Sequence, residues 1–304
     1  MAHNPITIDL IKTLDAIDRH GSFAAAAEHL HKVPSALTYT LQKCEKDLDI
    51  ILFDRSGHRA EWTESARHIL KEGRHILTSL DNLAHSSQRL ADGWTTQYSL
   101  ALDHVLDFSQ IVPMLSQAQQ DIPWVPIHIQ QGTLSGTWEL LINHQVDLVL
   151  APNLSKPNAA GIQTQVIGNM QMVLAVARNH PLAACEHALT EDDMADYPVV
   201  TVKDTARQIA PLTAGIRNRK REVMVPDMGT KITAQKQGLG IGFVPLHRIQ
   251  KEVFRGDLVI KELVDQPDVS DIQIVAGWRQ GDSDKTHQWV MQHLHLVQIS
   301  GLPV

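Results

Sequence analysis

The chain has 304 residues, 43% of them hydrophobic, with a formal net charge of −7. That length exceeds one ordinary core, so two or three domains are expected, and the acidic balance argues against a general nucleic-acid coat protein. No run of about 18 apolar residues is present to span a membrane, and the N-terminus lacks the basic, apolar and small-residue succession of a secretory leader. Cys44 and Cys185, far apart and outside any CxxC spacing, give neither a disulfide framework nor a zinc site, so a reducing cytoplasm is the expected compartment and no cofactor is implied.

In chain order, Thr7 caps a predicted helix running to about Arg19, with Leu10, Ile11, Leu14 and Ile17 on one face, and His20 and Gly21 stop it. Ser22 caps a short alanine-rich helix, "FAAAAEHL". After a turn at His31 to Val33, Pro34 takes the first position of a third helix, where its missing amide hydrogen costs little. Leu37, Leu41, Cys44 and Leu48 give that helix an apolar stripe at spacings of three and four. Its other face carries Ser35, Thr38, Tyr39, Gln42, Lys43 and Lys46, hydrogen-bond donors with little negative charge until Glu45 and Asp47. The pattern is helix, turn, helix, whose second member lies in a major groove with its early residues at base edges. "ILFDRSGHRAEWT" then reads as a short strand, a turn at Ser56 and Gly57, and a return: a wing bearing Arg55, His58 and Arg59. Residues 1–65 hold seven Lys and Arg against ten Asp and Glu, so any DNA contact depends on where donors sit and not on net charge.

Glu64 to Asp92 is predicted to be one helix. Ile69, Ile76, Leu83 and Leu90 repeat every seven residues beside a second row of Ala66, Gly73, Leu80 and Ser87, a seam for a partner helix or for packing within the chain. Beyond Gly93, short apolar strands ("YSLAL", "PIHIQ", "DLVLA", "MVLAVA", "YPVVTV", "IQIVAGW") alternate with helical stretches near 108–119, 135–144, 206–218, 228–237, 246–254 and 284–297. Alternation of this kind predicts α/β units, mostly parallel sheets, two lobes, and a ligand crevice at the strand carboxyl ends.

"GSFAAAAEHL", then Ser35 and Ala36, Glu45, Leu48, "LFDR" and "WTESA", followed far downstream by "RNHPLA" and "GLGIGFVP", resemble the LysR-type transcriptional regulators in order and spacing over nearly the whole chain. The resemblance implies a winged helix-turn-helix over 1–62, a linker and dimerisation helix over 63–93, and a two-lobed effector domain of periplasmic-binding-protein type over 94–304. Lobe I would comprise about 94–164 and 269–304, and lobe II about 165–268. It implies double-stranded promoter or operator DNA as partner, a homodimer through the linker helix assembling as a dimer of dimers, and no membrane. Carried over, Ser35, Tyr39 and Gln42 face base edges, and Thr38, Lys43, Arg55 and Arg59 face phosphates, with His58 on the same wing. Val33 and Pro34 replace two usual polar donors, and Trp62, in place of a usual leucine, is expected to pack.

The resemblance also places a small organic effector near Asp103, His104 and Leu106, then Thr133, then Asp204, Thr205 and Arg207, with Phe243 on a crossing segment. Thr133, Asp204 and Thr205 each have a second reading as helix caps. Arg207 favours a carboxylate, aromatic or otherwise, whereas Asp103, Asp107 and Asp204 leave an amine open. "GLGIGF" only half-matches a dinucleotide fingerprint, with Phe243 in place of the third glycine, and no nucleophile elbow or phosphate loop is present, so an enzyme is not expected. The alternative is a cytoplasmic solute-binding or catalytic α/β protein with an accessory helical domain.

Overall fold

A computed structural model describes residues 4–56, 60–212, 221–264 and 271–299. The chain divides into two compact units, one ending at Asp92 and the other starting at Gly93.

In the first unit, α1 (Ile8–His20) begins where the Thr7 hydroxyl accepts from the Leu10 amide and ends at Gly21, left-handed at φ 70°. Ser22 caps α2 (Phe23–His29) in the same way through Ala25. Helix α3 (Pro34–Leu48) has no side-chain cap at Val33; Pro34 takes its first turn and Asp49, left-handed, ends it. Leu14, Ala26, Leu37, Leu41 and Leu52 are fully buried in the core between the three helices, each leucine contributing about 1.5–3 kcal/mol of apolar burial. Strands β1 (Phe53–Asp54) and β2 (Glu61–Trp62) pair antiparallel. Trp62 packs as expected, its ring centroid 4.7 Å from that of Phe53. Helix α4 (Glu64–Ala91), capped by Thr63, packs its first three turns on α1 through Ala66, Ile69, Leu70 and Gly73. Further along, the heptad residues Ile76, Leu83 and Leu90 are exposed.

The second unit contains, in order, β3 (Tyr98–Asp103), α5 (Val112–Asp121), β4 (Ile127–Gly132), α6 (Ser135–Ile142), β5 (Leu148–Pro152) and β6 (Ile162–Ala177). These are followed by α7 (Glu191–Met194), β7 (Val199–Val202), β8 (Glu222–Val225), α8 (Met228–Lys236), β9 (Gly242–Pro245), α9 (Leu246–Arg255), β10 (Leu258–Lys261), β11 (Asp271–Arg279) and α10 (Lys285–His293). One sheet runs β10-β6-β11-β5-β3-β4 with β9 also on β6, while β7 and β8 pair separately. The expectation of mostly parallel sheets is corrected: in the large sheet only β3 with β4 and β3 with β5 are parallel, and β6 and β11 pair antiparallel with all their neighbours. Helix and strand alternation fixes strand direction only where a crossover helix intervenes, and no α-helix stands between β5 and β6. Its first ten residues pair with β11, while Met172–Ala177 pair with β9 and β10. Thus β6 carries the sheet from one lobe into the other.

The helix expected near 206–218 is also corrected for its described part, because residues 206–212 hold no helix. Their amides bond to carboxylates instead: Arg207, Gln208 and Ile209 donate to Glu139 of α6, and Leu212 donates to Asp204. Residues 213–218 of that stretch lie outside the described residues.

Candidate functional sites

Helix α3 presents Ser35, Tyr39 and Gln42 as one exposed stripe at spacings of four and three, opposite buried Leu37, Leu41 and Cys44. Tyr39 is 67% exposed on that stripe. Lys43 is exposed beside it, and half-buried Thr38 donates its hydroxyl back to the Pro34 carbonyl at 3.2 Å, which ties that group to the helix. Arg55 is exposed just beyond β1; His58 and Arg59 lie outside the described residues. Glu45 points away from the stripe and accepts from the Leu52 and Phe53 amides at 2.8 and 3.3 Å, fixing the start of the wing against α3. The most acidic feature of α3 is therefore spent on structure. The remaining polar stripe has the length and donor set for a major groove.

The second unit holds a cavity at the carboxyl ends of β3, β4 and β5, whose wall is continued by Met172 of β6, Met228 and Lys231 of α8 and Phe243 of β9. Of the effector candidates, Asp103, His104, Thr133 and Phe243 line it. Asp103 is fully buried. One of its oxygens accepts from the Val105 amide, and the other from the Leu134 amide and the Thr137 hydroxyl, at 2.7–3.1 Å. Burial pushes its carboxyl up to about 6 against those three donors. His104 is held low by burial, and its carbonyl accepts from Arg248 of α9, which also approaches Asp107 at 3.8 Å. Leu134 sits at φ 53°, a region costly for a side chain with a Cβ, and its amide is pinned by Asp103. The chain beside Thr133 is thereby tied to the Asp103 carboxylate.

Thr133 is 3% exposed and caps nothing: its hydroxyl is buried without a hydrogen-bond partner among the described residues. The α6 terminus is served from elsewhere, the amides of Ser135 and Gly136 donating to Asp204 at 3.2 and 3.0 Å. Asp204 also accepts from Ala206 and Leu212. It is thus a cap, for α6 and not for a following helix. Thr205 accepts from the Thr133 amide at 2.9 Å and lies so near Gly136 that a Cβ there would stand 2.1 Å from its hydroxyl oxygen. Arg207 is exposed, with its amide on Glu139. Leu106, Asp204, Thr205 and Arg207 do not line the cavity.

The cavity's cation is Lys231, which sequence reasoning passed over. It is 8% exposed on the inner face of α8, and burial alone brings its ammonium down to about 8. Its signal in the sequence was its spacing: three after Met228 and four before Gln235, both buried, a lysine shares the inward face of the helix. Around it the lining is apolar, with Leu154, Met172, Val202, Phe243 and Ile272. Among the described residues no group of His, Cys, Asp and Glu is arranged to hold a metal, and no helix is long and apolar enough to cross a membrane.

Residues 8–67 match the bacterial regulatory helix-turn-helix protein family of LysR type, and residues 91–297 match the LysR substrate binding domain. The chain is 31% identical over 289 residues to the probable HTH-type transcriptional regulator YhaJ of Escherichia coli (strain K12), covering 95% of this chain and 96% of that one. It is 32% identical over 282 residues to the HTH-type transcriptional regulator YeeY of the same organism, covering 93% and 91%. In fold it resembles a cysteine mutant of OxyR from Corynebacterium glutamicum, at TM-score 0.62 and 18% identity over 98% of this chain and 93% of that one. Full-length LysG from the same species, with bound effector Arg, gives TM-score 0.52 at 19% identity over 98% and 100%.

Proposed function

Because the chain belongs to the LysR family of DNA-binding transcriptional regulators, with an effector-binding domain behind its helix-turn-helix, we propose specific roles for its own residues. Ser35, Tyr39 and Gln42 read base edges in a major groove. Thr38, Lys43 and Arg55, together with His58 and Arg59, engage the backbone of double-stranded operator DNA. The domain boundaries are 1–62 for the DNA-binding domain, 63–93 for the linker helix and 94–304 for the effector domain, in a cytoplasmic protein. Exposed Ile76, Leu83 and Leu90 on α4 support a homodimer through that helix, which places two copies of α3 on two half-sites and builds toward a dimer of dimers.

A small organic effector binds in the cavity at the ends of β3, β4 and β5. The buried, unpartnered Thr133 hydroxyl in its wall carries this reading. The two arrangements that the effector distinguishes would turn on β6, whose first ten residues pair with β11 and whose last six pair with β9 and β10, and coupling of about 1–3 kcal/mol suffices to change operator occupancy or bending.

The test is a footprint of the full-length protein on the promoter region beside its own gene, repeated with Gln42→Ala and Thr133→Val. A footprint lost or re-registered by Gln42→Ala, and one that Thr133→Val leaves in place while blunting its response to a bound small molecule, is the expected result. Protection that is sequence-independent and indifferent to both changes would overturn it.

A further inference from the structure

We propose that Lys231, with Thr133, anchors the effector, and that the effector is a small organic monocarboxylate carried on an apolar body. This rests on the placement of the effector in the cavity described above and adds the ligand's chemistry to it.

Lys231 and Thr133 reach one cavity from different elements, α8 and the loop after β4, and each brings a polar group that the protein leaves unanswered. Among the described residues no partner charge or hydrogen bond acts on the Lys231 ammonium, which is perturbed by burial alone, and the Thr133 hydroxyl is buried with no partner among them. A buried ammonium and a buried hydroxyl are both costly unless something supplies acceptors. The nearby carboxylate does not serve: Asp103 accepts from Val105, Leu134 and Thr137 and makes no ion pair with Lys231, whose ammonium is perturbed by burial alone. The Lys231 side chain passes close over β9, where Gly242 has no side chain to displace it: its Cε lies 3.2 Å from where a Cβ on Gly242 would stand.

The ligand must therefore bring the acceptor. One ammonium and one hydroxyl match a single carboxylate, whereas a phosphate dianion would call for a second cation or a bidentate guanidinium. Arg207, the guanidinium that the sequence offered for that task, is exposed and held on Glu139 by its amide. An amine would set like charge against Lys231 in a site of low polarity. Leu154, Met172, Val202, Phe243 and Ile272 complete the wall and suit an alkyl or aryl body.

The experiment is calorimetric titration of the full-length protein with hexanoate and phenylacetate and with the amide and amine of each, against the wild type, Lys231→Met, Lys231→Arg and Leu154→Trp. Lys231→Met keeps the side chain's length and volume, and circular dichroism establishes that each variant is folded. Acids should bind the wild type at least about tenfold more tightly than their amides or amines; Lys231→Met should erase that preference and Lys231→Arg should restore part of it. Leu154 is 42% exposed at the rim, so a tryptophan there should narrow the cavity and weaken every ligand without disturbing the core. Acids that bind Lys231→Met as well as wild type but lose Leu154→Trp would overturn the anchor and leave the cavity standing. Acids indifferent to both changes would overturn the cavity itself as the effector site. Preference for the amines, or no acid binding at ~10 mM, would overturn the ligand class.

Discussion

Ile11 occupies the space that a side chain at Gly73 would need: a Cβ there would lie 2.5 Å from Ile11 Cγ2 and 3.1 Å from its Cγ1. Ile11 is 2% exposed and β-branched, so it has little freedom to yield. Gly73→Ala should gain helix propensity of about 1 kcal/mol and lose more to overpacking, for a net destabilisation of about 1–2 kcal/mol. Urea denaturation of the two proteins measures it, and an unchanged or raised midpoint would show that α1 and α4 can part there at no cost.

The exposed stripe of α3 and the arginine beyond β1 should fail in different ways. Gln42→Ala should alter discrimination at one or two base pairs by roughly 1–3 kcal/mol, whereas Arg55→Ala should weaken all sequences alike and reduce the salt slope by about one unit. Binding isotherms on operator and random duplexes at several salt concentrations separate the two. Equal losses on both duplexes for Gln42→Ala would remove it from the reading set.

If α4 forms the proposed dimer, Ile76→Glu with Leu83→Glu should dissociate it, because the two carboxylates would be buried against an identical helix. Both positions are exposed within one chain, at 47% and 62%, so the monomer fold should survive. Sedimentation at micromolar concentration and an operator footprint report the outcome, and an unchanged mass would place the dimer contact elsewhere.

Asp204 accepts from four amides, those of Ser135, Gly136, Ala206 and Leu212. Asp204→Ala should therefore cost about 2–4 kcal/mol of stability and change ligand preference little. A variant of undiminished stability with altered ligand selectivity would instead put Asp204 at the ligand.

Lys231 should cost stability in the absence of ligand. Burial lowers its ammonium from 10.5 to about 8, so the unfolded chain binds the proton more readily than the folded one. The cost of about 3 kcal/mol is full below about pH 8 and is relieved as pH rises toward 10.5. Lys231→Met should then be the more stable protein at neutral pH, with the gap closing through that window. The titratable groups sharing the cavity are Asp103 and His104, and Asp227 caps the same helix, so the measurement is the difference between the two proteins across pH. A gap that does not narrow would mean that the ammonium is better solvated than its burial implies.

The local features were legible in the amino-acid order because their causes are local. Thr7, Ser22 and Thr63 cap the helices that follow them, Pro34 opens α3, and the apolar spacing of Leu37, Leu41 and Cys44 fixes which face of α3 is left exposed. None of these depends on a contact more than a turn or two away along the chain. The cavity is different. Whether Asp204 and Arg207 face a ligand or serve α6, and whether a lysine on an ordinary-looking helix is surface or interior, depends on how β6 pairs antiparallel with β11 in one lobe and with β9 and β10 in the other, and where that sets α8. Those pairings join residues about a hundred positions apart, and a side chain's direction at such a junction is set by packing, which no periodicity in the chain encodes. Lys231 is inward because Met172 and Phe243, brought together by β6 and β9, close over that face of α8.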